Sequence, residues 1–189
     1  MFTYRVLKNL PKVPQYFIDR ALAKKKLLFT NNVNDNLPNW YKDRKLIVDG
    51  KEESTAHQQT ADLENDFTIW CKKYIHSEGF DCQVSMTNHQ KGKYWGPHTD
   101  LTREFTIIYL LESGGPDAET VFYLEPGKPV RRSEFQEVCN DYSKLVVLER
   151  NKFPLHEWII LDAMILHGVE NITEPRISFQ ISSNLNPYF

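Results

Sequence analysis

The chain has 189 residues, with 23 Lys and Arg against 25 Asp and Glu, a formal net charge of −2 and a pI near 6.3. That near-balance excludes a basic nucleic-acid coat and an acidic tail, and nucleic acid is not expected as a partner. The length fits one domain, residues 1–189, and 41% hydrophobic with 13% aromatic residues is enough to bury a core.

The first 79 residues are expected to form a helical layer. Pro14 can open a helix through PQYFIDRALAKKKLLF, with Phe17, Ala21 and Leu22 on one face and Lys24–Lys26 as a solvated last turn. Residues 31–57, rich in Asn, Asp and Lys, read as an irregular connection with a short strand near LIV. A second helix is marked by Leu63, Phe67, Trp70 and Tyr74 at helical spacing, with Gly79 as its stop signal.

From Phe80 the period changes to two. FDCQVSMTNH alternates, FTIIYLL (105–111) is apolar on both faces, and TVFYL (120–124), LVVLE (145–149), EWIILD (157–162) and RISFQISS (176–183) follow between Gly and Pro turns. Such a series predicts an antiparallel barrel or two-sheet jelly roll over residues 80–189. RRSEFQEVCNDY (131–142) reads as an insertion, with a helix as one possibility. Arg176, Ser178, Gln180 and Ser182 share one face of the last strand, and the strand from 80 has a polar face as well. Polar faces turned inward imply that the barrel holds something.

No apolar run approaches the ~18 residues of a bilayer span, mean hydropathy is −0.51, and the opening MFTYRVLKNLPKVP lacks an uninterrupted apolar stretch. A chain without membrane association, located in the cytoplasm, is expected. Cys71, Cys82 and Cys139, odd in number and without a CxxC pair, read as reduced buried thiols.

His98 and Asp100 form His-x-Asp, so on an extended strand both side chains point the same way. The pair is expected to open a strand after a glycine loop, and His167 follows a later strand. Two imidazoles and one carboxylate on a rigid barrel are a donor set for Fe(II) with open positions. The planar fork of Arg176 suits a carboxylate, with Ser178 adding a hydroxyl. Fe(II) and one Asp leave +1, a dianionic co-substrate brings the total to −1, and Arg176 restores neutrality.

YWGPHTDL, GGPDAETVFYL, WIILDAMILHGV and RISFQ, in that order, resemble the 2-oxoglutarate- and Fe(II)-dependent oxygenases, particularly the prolyl-hydroxylase-like branch. The resemblance spans residues 80–184. It implies a double-stranded β-helix (jelly roll, cupin-like) core, with His98, Asp100 and His167 as iron ligands. It implies Arg176 with Ser178 as the clamp on the far carboxylate of 2-oxoglutarate. Where members often carry Tyr three residues before the loop glycine, this chain has His89, which reads either as a contact to co-substrate or substrate or as a hydrogen-bonded barrel histidine. The implied reaction is a dioxygenase hydroxylation: O2 and 2-oxoglutarate are consumed, succinate and CO2 are released, and a small-molecule or peptide substrate gains a hydroxyl. Asp100 argues against the halogenating relatives, which lack this carboxylate. Relatives that demethylate nucleic-acid bases carry a second Arg six residues after the clamp, where this chain has Ser182. A non-catalytic cupin-like metal- or ligand-binding protein is the alternative of another class. Trp95 and Tyr94 read either as the wall of the substrate mouth or as aromatic packing, Lys91, Lys93 and Arg103 as a solvated basic rim, and Glu119 and Thr120 as structural.

Overall fold

The computed structural model describes residues 2–29, 44–127, 130–131 and 136–186. The first sheet runs β1 (Tyr4–Leu7), β12 (Trp158–Asp162), β7 (Phe105–Ser113), β14 (Arg176–Ser183), β5 (Phe80–Asn88) and β4 (His57–Asp62). The second runs β11 (Val146–Asn151), β8 (Glu119–Leu124), β13 (His167–Glu170), β6 (Trp95–Asp100), β10 (Gln136–Val138) and β9 (Val130–Arg131). A hairpin of β2 (Lys45–Val48) and β3 (Lys51–Ser54) stands apart. From β5 onward the chain crosses repeatedly between the two sheets, and the ladders are antiparallel. This is a double-stranded β-helix, mainly β, with N-terminal helices packed on its first sheet.

Alternation along β7 explains why its sequence is apolar throughout. Ile107, Tyr109 and Leu111 face the helices, whereas Ile108 and Leu110 face the interior with Phe122, Ile159 and Leu161. β14 and β5 divide differently: Ile177, Phe179, Val84 and Met86 join the helix-side core, and Ser178 and Ser85 face the interior. The interior is therefore apolar toward β7, β8 and β12 and polar toward β5, β14, β6 and β13.

The helix α1 (Gln15–Ala23) starts directly after Pro14 and buries Phe17 and Ala21, while Leu22 remains exposed. Lys24–Phe29 continues as a 3-10 helix. The helix α2 (Asn65–Tyr74) buries Phe67 and Cys71, and Phe67 lies 4.8 Å, ring to ring, from Phe179. Leu63 is buried just before α2, whereas Tyr74 is exposed. Gly79 does not cap this helix, which closes at Ile75. Its role is close packing: a Cβ there would lie 2.6 Å from Ile181 Cγ2.

The N-terminal region is only partly helical. β1 and β4 extend the first sheet at its two edges, β1 by pairing with β12 and β4 by pairing with β5. The strand expected near LIV is β2, but the predicted irregular connection also holds β3 and the first residue of β4; its residues 31–43 lie outside the described residues. The 131–142 insertion contributes β10, which pairs with β6, and a 3-10 turn at Tyr142–Lys144, with no helix among its described residues. Residues 132–135 lie outside the description. Cys71, Cys82 and Cys139 are free and buried.

Candidate metal centre

His98 and Asp100 close β6 instead of opening it, and the i, i+2 spacing turns both toward the interior. His167 opens β13, directly opposite His98 in the β6–β13 ladder. One nitrogen or oxygen from each of His98, Asp100 and His167 lies within 4.8 Å of the others, and all three residues are buried. Gly168 permits this approach, since a Cβ there would lie 2.7 Å from the Trp95 carbonyl oxygen.

Both histidines are held in one tautomer. His98 Nδ1 lies 2.9 Å from the Gly96 carbonyl and His167 Nδ1 lies 2.8 Å from that of Ile165. A carbonyl only accepts, so Nδ1 carries the proton and the Nε2 lone pair is open. Burial, reinforced by His167, pushes His98 down to about 3. Burial also lowers His167. Both rings are neutral at physiological pH, the form that binds metal. Burial works to raise Asp100, but Arg103, His98 and His167 outweigh it and hold its carboxyl below the usual range. Arg103 donates to Asp100 Oδ2 from Nε at 3.0 Å, and a terminal nitrogen is ion-paired with the same oxygen at 2.8 Å. Two neutral imidazoles and an ionised carboxylate, converging in a buried space, fit a divalent transition metal such as Fe(II).

The same cavity, about 100 Å³, is lined by Arg176, Ser178, Gln180, Ser85 and Thr87 from the first sheet and by Thr120. Arg176 is buried and donates to the Ser113 carbonyl at 2.7 Å and to Thr120 Oγ1 at 3.1 Å. Burial lowers it to about 10, leaving it protonated at neutral pH. Among the described residues no carboxylate forms an ion pair with it. Thr120, read from the sequence as structural, is thus a partner of this cation.

His98, Asp100, His167, Arg176 and Ser178 converge on one cavity. His89 does not line it: it starts the 3-10 turn His89–Lys91, with its buried Nδ1 unpartnered. Trp95 lines the cavity and stands edge-on to His98 at 5.8 Å. Tyr94, on the opposite strand face, packs against Tyr142 instead. Lys91 and Lys93 are not lining residues, whereas Arg103 is, bound to Asp100 and not to solvent. Sequence reasoning missed Gln58, which donates to Ser85 Oγ, and Gln136, which β10 places across from Asp100. Neither carries a motif signal.

Fold and site define a jelly roll enclosing a buried cluster of two histidines and one aspartate. No protein-family model and no curated protein sequence matches the chain. It is similar in structure to the non-heme alpha ketoglutarate dependent epimerase SnoN from nogalamycin biosynthesis, at 11% identity and TM-score 0.47, over 95% of this chain and 77% of that one. It is similar to EctD from S. alaskensis with 2-oxoglutarate and 5-hydroxyectoine, at 14% identity and TM-score 0.47, over 96% and 72%. A third similar structure is AviO1 from Streptomyces viridochromogenes Tue57, at 11% identity and TM-score 0.44, over 98% and 91%. Among the described residues no helix is long and apolar enough to cross a membrane.

Proposed function

We propose that the chain is a 2-oxoglutarate- and Fe(II)-dependent oxygenase that hydroxylates a small-molecule or peptide substrate with O2. The observation that carries this reading is the pairing, in one cavity, of a three-residue metal donor set with a buried guanidinium that has no carboxylate partner among the described residues. Burying a charge unpaired is costly, so a lone buried cation facing a cavity fits an anionic ligand that completes it. His98 Nε2, Asp100 and His167 Nε2 hold the metal. Arg176 and Ser178 receive the far carboxylate of 2-oxoglutarate. Iron and 2-oxoglutarate together supply oxidation of a substrate C–H, with release of succinate and CO2.

The chain's own residues set the conditions. Gly96 and Ile165 carbonyls fix the tautomers, Thr120 and the Ser113 carbonyl aim Arg176, and Ile108, Leu161 and Val169 form the apolar part of the wall. A cupin-like protein that binds metal without turnover shares the metal site but gives no succinate. The deciding measurement is succinate release from 2-oxoglutarate by the Fe(II)-loaded chain in air, with metabolite and peptide pools screened by mass spectrometry for a gain of one oxygen. Absence of both succinate and any oxygenated product sinks the enzymatic reading.

A further inference from the structure

Arg103 is the charged side chain of the cavity that neither the metal donors nor the carboxylate clamp accounts for. It follows β6, three residues beyond Asp100, and its side chain is 19% exposed while that of Asp100 is 4%. Its Nε donates to Asp100 Oδ2 at 3.0 Å, and a terminal nitrogen is ion-paired with the same oxygen at 2.8 Å. Its remaining terminal nitrogen donates to Ser182 Oγ at 3.2 Å. Ser182 belongs to β14, the strand that begins at Arg176. One guanidinium therefore ties a carboxylate of the second sheet to the strand of the first sheet that bears the clamp.

We infer that Arg103 is a positioning residue for the metal: it occupies Oδ2 of Asp100 and leaves Oδ1 as the one oxygen offered to the ion. The inference rests on His98, Asp100 and His167 being the metal ligands. An aspartate carboxylate turns easily about its last torsion and can present either oxygen or both. A charge-assisted hydrogen bond and an ion-pair contact on one oxygen, from a guanidinium itself anchored on Ser182, hold that torsion. Gln136 lies 3.4 Å from Oδ1, too far to occupy it strongly. A carboxylate offered through one oxygen fills one coordination position, so two imidazoles and Asp100 leave the remaining positions to co-substrate and O2.

The test is Mn(II) titration of the metal-free chain, read by the EPR spectrum of the bound ion and, in parallel, by thermal melting of the metal-free form. Outer partners of metal ligands are worth about 10–100-fold in metal affinity. Arg103→Gln should weaken Mn(II) by about that factor and change its spectrum, with the metal-free melting temperature little altered. Arg103→Lys keeps the charge but lacks the planar fork that reaches Asp100 Oδ2 and Ser182 Oγ together, so it should recover only part of the loss. Ser182→Ala frees the far end of the guanidinium and should cost less than Arg103→Gln. Unchanged or increased Mn(II) affinity in Arg103→Gln overturns the inference, and so does full recovery by lysine. Should Arg103→Gln fail to fold, Arg103→Lys and Ser182→Ala decide: wild-type affinity and spectrum in both overturn it. A wild-type chain that binds no Mn(II) is a different result, which removes the metal centre itself.

Discussion

His98 and His167 are register partners across the β6–β13 ladder, with ring centroids 4.6 Å apart. Each donates Nδ1–H to the carbonyl of the residue two positions before it, so the two strands present the same device from opposite directions. Burial disfavours the charged form of either ring, and for His98 the neighbouring His167 adds to that, so both Nε2 lone pairs stay unprotonated. They are satisfied together by one cation.

Removal of any one ligand tests that arrangement. His98→Ala, Asp100→Ala and His167→Ala should each lower iron affinity by more than about 100-fold, beyond what loss of an outer partner costs. The wild type should bind one metal per chain. Elemental analysis after dialysis against limiting Fe(II) or Mn(II) measures it, and wild-type metal content in all three variants refutes the triad.

Arg176 separates co-substrate binding from metal binding. Arg176→Ala removes a charge-assisted, two-pronged contact in a buried site, which costs on the order of 2–5 kcal/mol, roughly 30- to several-thousand-fold in affinity for 2-oxoglutarate. Metal content should stay near wild type, because guanidinium does not coordinate metal. Arg176→Lys should restore part of the attraction without the fork. Anaerobic titration of 2-oxoglutarate into the Mn(II)-loaded chain reads the effect. An unchanged Kd in Arg176→Ala makes Arg176 a structural arginine.

Acid should destabilise the metal-free protein before its carboxylates titrate. His98 and His167 have folded pKa values lowered by burial, to about 3 for His98, against roughly 6.5 unfolded. Below that unfolded value the unfolded chain takes up protons that the folded chain refuses, so stability is full above about pH 6.5 and falls as pH drops. At pH 5 the loss is about 2 kcal/mol for His98, and His167 adds to it in the same direction. Asp100, held low, adds its own loss only at lower pH. Urea midpoints of the metal-free chain at pH 7.5 and 5.0 check this, and a His98→Gln variant should show a smaller shift between them. Equal midpoints for the wild type at the two values contradict neutral buried rings.

What the sequence disclosed and what it hid follow from burial and register. β5 and β14 were legible because one face of each packs under helices and the other lines a cavity, which forces strict alternation. His98, Asp100 and His167 were legible as a residue set, although His-x-Asp closes its strand. β4, His57–Asp62, was hidden because an edge strand with mostly half-exposed residues, HQQTAD, needs no apolar period. β10 was hidden because Gln136–Val138 is short and its partner is distant in sequence. Arg103 was misplaced on the rim for a related reason: spacing three residues past Asp100 does not reveal that a turn folds the guanidinium back over the carboxylate.

Neighbouring positions on β14 should separate stability from ligand binding. Phe179 is fully buried on the helix side, 4.8 Å from the Phe67 ring and 6.3 Å from that of Tyr109. Phe179→Ala leaves a cavity between sheet and helices and should cost about 3–5 kcal/mol of unfolding free energy. Ser178, one residue earlier, points into the site cavity, and no packed apolar neighbour depends on its hydroxyl. Ser178→Ala should therefore stay within about 1 kcal/mol of wild-type stability. Its effect should fall on 2-oxoglutarate, whose affinity loses one hydrogen bond, about 1 kcal/mol or several-fold. Urea unfolding and anaerobic 2-oxoglutarate titration on the two variants give the four values needed. Loss of stability in Ser178→Ala with 2-oxoglutarate affinity intact would mean that the hydroxyl braces the strand and takes no part in holding the co-substrate.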